Sequence, residues 1–454
     1  MILELLKSLT STGNVYVILH AYLIVQEKYV SPVAGNRRWL VLIGYMLISM
    51  SSQIIWLNFA GIVSPQMETI FHVGYGPLSL MSGIWPLVFI PISIPTGLMV
   101  DRWGFKKIVL IGGVILVVFS WLRLLSGGSF QLLFVFQSLA AIGQPFVYNG
   151  ISKLSGNWFA EGEQGLANGI AVMGQIIGMV IALVLVPVMV PQGASFSLLQ
   201  SNMVVVSLIV TLSVIFFAVF AKEVPEGIST SPPVREKARS NVLHLLSMKN
   251  IILLMALFLV GVGIFSGLIQ WVEAILNSRG ISSLDGGLIG AVILISGIIG
   301  MVIVPLLADK YSKLKQIVIV NALIVAVMLF LFSLKVSLLL YAVVGVILGF
   351  TLLSLAPIVL QISLETAGKE RAGTAASIIW LTSQVGALLF ILVMPSLNTL
   401  QLSLKLYLSD QWFLSLVFTG LMMIIAVLLG LMLNDTRKTT KKSNEGGQNP
   451  QTRS

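Results

Sequence analysis

The sequence predicts an all-α polytopic membrane protein, with twelve transmembrane helices arranged as two pseudo-symmetric six-helix bundles. Three observations carry this. Apolar residues make up 57% of the 454 residues and charged residues 10%, against roughly 25% charged in a soluble domain. The apolar residues gather in twelve windows, each of about 20 residues, the length that crosses a bilayer core of ~30 Å. A short charged loop between the second and third windows also recurs, in degenerate form, between the eighth and ninth.

The first six windows cover residues 40–63, 77–100, 108–125, 131–152, 165–190 and 199–220. The second six cover 251–276, 284–307, 316–334, 337–362, 372–394 and 411–433. These place an N-terminal bundle at 39–220 and a C-terminal bundle at 251–433. The stretch 221–250 between them carries Pro225, Pro232, Pro233 and a mixed-charge run from Arg235 to Arg239, which is the composition of a solvated connector. Residues 434–454 are basic, polar and poor in aromatics, so a disordered tail is expected there. In segment 1–38 the apolar run 15–25 is too short to span, and an interfacial or cytoplasmic segment is expected.

A net charge of +10 could suggest a nucleic-acid partner. Its distribution says otherwise. All but four of the 27 basic residues (Arg123, Arg279, Lys335 and Lys405) fall in loops on one side of the predicted membrane. Positive charge accumulates on the cytoplasmic side, so both termini and the connector are expected there, in a multi-pass protein of the cell membrane acting as a monomer. The chain has no cysteine, which excludes disulfides and thiol chemistry. Its three histidines, His20, His72 and His244, lie outside the spans, and neither a metal-ligand cluster nor a phosphate-cradling loop is present. No cofactor is expected, and an enzyme is disfavoured.

The charged loop contains Gly97, Asp101, Arg102, Gly104, Lys106 and Lys107. An acid at the carboxyl end of a helix faces orphan carbonyls and is locally unfavourable, so Asp101 needs a compensating partner. Gly104 permits a tight turn, and the two lysines suit an anionic leaflet. The later copy keeps Asp309, Lys310, Lys313 and Lys315 but has Pro305 and Ser312 in place of the glycines. This loop and its repeat resemble the signature joining helices two and three of each half in the major facilitator superfamily. That resemblance extends over nearly the whole chain. It implies a solute carrier in which Asp101 and Arg102 make a contact only in the outward-facing state, with a weaker equivalent at Asp309.

Polar side chains inside spans are costly in lipid and mark cavities or helix contacts. Span one has Gln53, Trp56 and Asn58, and span four has Gln144, Tyr148 and Asn149. Span five has Gln175, and span seven has Gln270, Trp271 and Glu273. Span ten has Gln361 and Glu365, and span eleven has Trp380 and Gln384. In the resembled fold spans one, four, seven and ten line a central cavity, flanked by two, five, eight and eleven. The candidate solute-binding residues are therefore Trp56, Gln144, Gln175, Gln270, Trp271, Trp380 and Gln384.

Within the superfamily the chain resembles the branch of feline leukaemia virus subgroup C receptor-related transporters. The residues carrying this are Asn36 to Trp39, Gln53 and Trp56, Gly143 to Phe146, Asn157 to Phe159, Gly174-Gln175, the Pro187 and Pro191 region, and Gly373 with Ser383 to Gly386. In that branch a tryptophan matching Trp56 and a glutamine matching Gln144 help to hold choline-like or ethanolamine-like cations. An aromatic face attracts a quaternary ammonium by ~0.5–2 kcal/mol. Many proton-coupled superfamily members carry a cavity arginine in span four where this chain has Gln137, and spans one and four hold no acid. Proton-coupled drug antiport is thus disfavoured, and facilitated uniport of a small organic solute by alternating access is expected. The alternatives are a proton-coupled carboxylate carrier and a non-transporting membrane receptor. Glu273 is the candidate coupling residue, unless span seven breaks early and leaves it in a loop with Asn277 and Arg279.

Overall fold

A computed structural model of the chain describes residues 37–59, 65–159, 163–225, 238–311, 313–368, 371–403 and 410–434. The expectations for segment 1–36, the middle of the connector and the tail from residue 435 onward lie outside the described residues.

Twelve helices are long and apolar enough to cross a membrane. The first six are α1 (Arg37–Leu57), α2 (Tyr75–Trp103), α3 (Phe105–Leu122), α4 (Phe130–Trp158), α5 (Gln164–Met189) and α6 (Phe196–Phe220). The second six are α7 (Lys249–Asn277), α8 (Ser283–Tyr311), α9 (Leu314–Ser333), α10 (Leu338–Ala367), α11 (Ala372–Ser403) and α12 (Phe413–Met432). No strand occurs among the described residues. Helix α1 starts three residues before the apolar window, and α11 runs nine beyond it, to Ser403. Window edges follow hydropathy, whereas helix ends follow hydrogen bonding. At three starts the serine just before the helix caps it: Ser129 accepts from Leu132 N, Ser282 from Asp285 N and Ser337 from Leu340 N.

Helix α4 is broken into Phe130–Ala141, Gly143–Tyr148 and Ile151–Trp158. Pro145 lacks the N–H that a continuous ladder needs. Two glycines make the close approach to α3 possible: a methyl at Gly143 would lie 2.6 Å from Gly112 O, and one at Gly150 would lie 2.4 Å from Val109 Cγ2. Asn149 then ties the broken segment to α2, donating to Ser93 O at 2.7 Å and Thr96 Oγ1 at 2.6 Å.

In the first half α1 packs on α5 and α6, and in the second α7 packs on α11, α8 and α10. The two halves meet mainly along two pairs, α2 with α11 and α5 with α8. Helices α1, α7 and α10 are the most enclosed.

Candidate solute pathway between the two halves

The two cross-half seams are tight at one end only. Near the start of α2, a methyl on Gly83 would lie 3.2 Å from Leu388 Cδ1 and 3.3 Å from Leu392 Cδ2 of α11. Near the start of α8, one on Gly290 would lie 2.9 Å from Leu183 Cδ1 of α5. Beside these contacts Gln66, in the short helix Pro65–Phe71, donates to Ser283 Oγ at 3.1 Å across the halves. At the opposite end, where the charged loops lie, the same helix faces are open. A methyl on Gly97 of α2 or Gly169 of α5 meets nothing within 4 Å, and Ile94 is 61% exposed. The molecule is closed at the end away from the Asp101 loop and open toward it.

Between the ends lies a polar cluster of the first half. Gln53 of α1 and Gln144 of α4 both donate to the Tyr148 hydroxyl, Gln144 at 3.5 Å. Tyr45 braces the same segment from α1, its hydroxyl 2.9 Å from Val147 O and 3.3 Å from Tyr148 O. A methyl at Gly178 of α5 would lie 2.2 Å from Met50 O and 3.0 Å from Gln53 Cβ, so α5 presses on the back of the cluster. The Phe89 ring stands edge-on to Tyr148 with centroids 6.1 Å apart. Ser49 and Ser52 are buried beside the Tyr45 and Tyr148 hydroxyls, and Gln53 Oε1 is buried there without a hydrogen-bond partner. Trp56 is buried one turn further along α1, and its indole N–H donates to Ser82 O of α2 at 3.1 Å.

In the second half Ser266, Gln270, Glu273 and Asn277 are spaced four, three and four residues apart, so they share one face of α7. The helix continues to Asn277, so Glu273 is inside it and buried rather than in a loop. Gly286 of α8 lies against it, where an added methyl would be 3.2 Å from Glu273 Cα. Gln270 is 1% exposed, and neither amide atom has a hydrogen-bond partner. Asn277 reaches Ser283 Oγ at 3.5 Å, the hydroxyl that also accepts from Gln66.

The remaining predicted residues divide. Trp271 is fully buried within the second half, donating to Ile391 O at 3.0 Å and packing 5.5 Å from Trp412. In this conformation it forms no aromatic cage with Trp56. Trp380 is 42% exposed and stands edge-on to Phe258 at 5.2 Å, while Gln175 and Gln384 are half-buried.

At the charged loop, the side chains of Asp101 and Asp309 lie outside the described residues. Gly104 has φ +87°, and a methyl there would lie 2.4 Å from Glu223 Cδ. The space is used by Glu223, which accepts from Phe105 N at 3.0 Å and Lys106 N at 2.8 Å. A carboxylate on these orphan donors stabilises the start of α3. The end of α4 holds the acceptor in turn: Asn157 donates to Glu223 O at 2.9 Å, and Trp158 to Lys222 O at 3.0 Å. Arg102 and Lys107 are exposed, and Lys107 Nζ lies 5.5 Å over the Trp103 ring. In the second copy Lys310 is exposed and lies 5.7 Å over Tyr311. Glu223 was not singled out by sequence; the available signal was an acid three residues after a span and two before a proline.

Two arginines expected in loops at the closed end are buried instead. Arg123 follows α3 and donates to Gln137 Oε1 at 3.1 Å, and Gln137 passes a bond to Ile55 O at 2.9 Å. A guanidinium thus stands beside the span-four glutamine, supplied from α3. Arg279 pairs with Asp410 at 2.8 Å and also donates to Phe332 O and the Tyr341 hydroxyl, each at 2.6 Å. Among the described residues no cluster of potential metal ligands occurs.

A family model described as the Major Facilitator Superfamily matches residues 41–391. The chain is 25% identical over 379 residues to solute carrier family 49 member A3 of Xenopus tropicalis, covering 80% of this chain and 78% of that protein. It is 24% identical over 389 residues to the choline/ethanolamine transporter FLVCR1 of Felis catus, covering 80% and 68%. With FLVCR2 of Homo sapiens, also a choline/ethanolamine transporter, it shares 23% over 382 residues, covering 78% and 71%. Among solved structures, an inward-facing bacterial homolog of the human lysosomal transporter Spinster superposes with TM-score 0.72 at 18% identity, covering 89% of this chain and 98% of that one. Another is the nucleoside transporter NupG, with TM-score 0.69 at 10% identity and coverage of 87% and 99%. The likeness to these two shows the fold. With its twelve spans, its two cross-half seams and this family match, the chain belongs to the Major Facilitator Superfamily, within which it is similar to the FLVCR-related transporters, and is a transporter rather than an enzyme.

Proposed function

We propose that the protein carries a small organic cation, of the choline or ethanolamine type, across the cell membrane by rocker-switch alternating access. The carrying observation is the asymmetry between the seams, closed by glycine contacts at one end and open at the charged-loop end. It supports an inward-open state if the basic loops and both termini are cytoplasmic, as their charge distribution argues. The cationic substrate is supported by the Gln53–Gln144–Tyr148 cluster, which offers amide and phenol oxygens and aromatic rings but no basic group. It is further supported by relatives named choline/ethanolamine transporters. Absence of an acid from this cluster favours facilitated uniport.

The test is uptake of labelled choline and ethanolamine into proteoliposomes, with and without an imposed proton gradient. The expected result is saturable uptake that equilibrates but does not accumulate. Robust uphill accumulation that vanishes in Glu273→Gln would replace uniport with proton coupling. Uptake of carboxylates in place of amines would favour the anion-carrier alternative, for which Arg123 beside Gln137 is the basis.

A further inference from the structure

The closed end carries a polar face that closing leaves incompletely satisfied. Gln270 is buried, and both its amide atoms lack hydrogen-bond partners. A buried amide in that position is costly to the state that buries it. One turn along the same face is Glu273, against Gly286 of α8. The next glycine, Gly287, faces the other way, with an added methyl 2.1 Å from Leu183 O of α5. The Gly286-Gly287 pair therefore separates Glu273 of the second half from the backbone of the first by the thickness of one α8 backbone. Opening the α5–α8 seam would move this barrier and expose the Glu273 and Gln270 face. The face continues to Asn277 and Ser283, where Gln66 holds the halves together.

We propose that Gln270 and Glu273 form a recognition site for the head group of a small organic cation that exists only when this end is open. The site deepens the carrier function proposed above and rests on it for the substrate class. The Glu273 carboxylate supplies the counter-charge and Gln270 Oε1 an acceptor. On closing, the site collapses and is left dry, so solute is handed toward the Gln53–Gln144–Tyr148 cluster and the closed state is kept from being too stable. An ordered water on Gln270 would satisfy the amide equally well but would give no solute dependence.

The chain has no cysteine, so Val272→Cys, buried in the seam where an added methyl on Gly290 would lie 3.0 Å from Val272 Cγ1, reports opening. Its labelling by an impermeant thiol reagent, added from the closed-end side of membrane vesicles, is followed with choline, ethanolamine, tetramethylammonium or neutral 3,3-dimethylbutanol present. The expected result is saturable acceleration by at least one of the cations but not by the neutral alcohol, abolished in Glu273→Gln, because a ligand bound only in the open state shifts the population toward it. Gln270→Leu should slow labelling about tenfold with no ligand, because the closed state no longer buries an unpaired amide. Acceleration by none of the cations, acceleration unchanged in Glu273→Gln, or labelling unaffected by Gln270→Leu would each overturn the site. Failure of wild-type choline and ethanolamine uptake, by contrast, bears on the carrier function alone.

Discussion

A methyl group on Gly287 would sit 2.1 Å from the carbonyl oxygen of Leu183, so the closed α5–α8 seam exists only because residue 287 is glycine. Neither partner can yield, since the obstacle is backbone on both sides. Gly287→Ala is expected to abolish closure of this end, holding the carrier open there and cutting uptake by at least roughly tenfold, as a ~1.4 kcal/mol bias would already do. Spin-label distances between the ends of α5 and α8 should lengthen while membrane insertion is retained. Gly97→Ala is the control, since nothing lies within 4 Å of that position. It should leave these distances unchanged, and any loss of uptake would arise in the opposite state.

Glu223 is expected to stabilise the charged loop as a helix cap. Glu223→Ala should cost about 0.5–2 kcal/mol and lower the melting temperature in detergent, with Glu223→Gln milder because its amide oxygen can still accept. Gly104→Ala should be at least as damaging, combining a strained positive φ with a clash on the Glu223 carboxyl. Equal melting temperatures for Glu223→Ala and wild type would remove the cap from the account.

The buried pair Arg279–Asp410 fastens the closed ends of α7, α9, α10 and α12. Breaking it from one side strands a charge, at a cost of ~3–5 kcal/mol. Arg279→Met or Asp410→Leu alone should therefore reduce folded yield severely. The double variant should recover a substantial part, since removing both charges removes the desolvation penalty as well. A double variant no better than the worse single one would show that Arg279 acts through its carbonyl contacts.

Gln53 and Gln144 converge on one hydroxyl, so their contributions should not add. Gln144→Ala and Tyr148→Phe are expected to raise the choline KM, and the double variant should do little more than the worse single one. Trp56→Ala should also weaken binding, with Trp56→Phe retaining part of it. Full additivity would mean that the three side chains do not form one cluster. Uptake unaltered by both alanine changes would take Trp56 and Gln144 out of the solute site.

Orientation is checked with single cysteines. Labelling from outside intact cells is expected at Gly193→Cys and not at Thr230→Cys or Ser443→Cys. The reverse pattern would place the open end outside.

The number of spans, the repeat of the charged loop and the membrane setting were legible in the sequence because hydropathy and loop charge are local properties, summed over neighbouring residues. The face shared by Gln270 and Glu273 was legible for the same reason, since helical spacing alone places them together. Partners distant in sequence were not legible. Nothing in the composition ties Glu223 to the amide of Phe105, or Arg123 to Gln137. Trp56 and Trp271 read alike as intramembrane tryptophans, yet one donates to Ser82 of α2 and the other is sealed inside the second half against Ile391. Which end is closed was likewise decided only in three dimensions. Gly97 and Gly287 are both glycines within apolar helices, and what distinguishes them is whether another helix's backbone lies within reach, which depends on how the two halves pack.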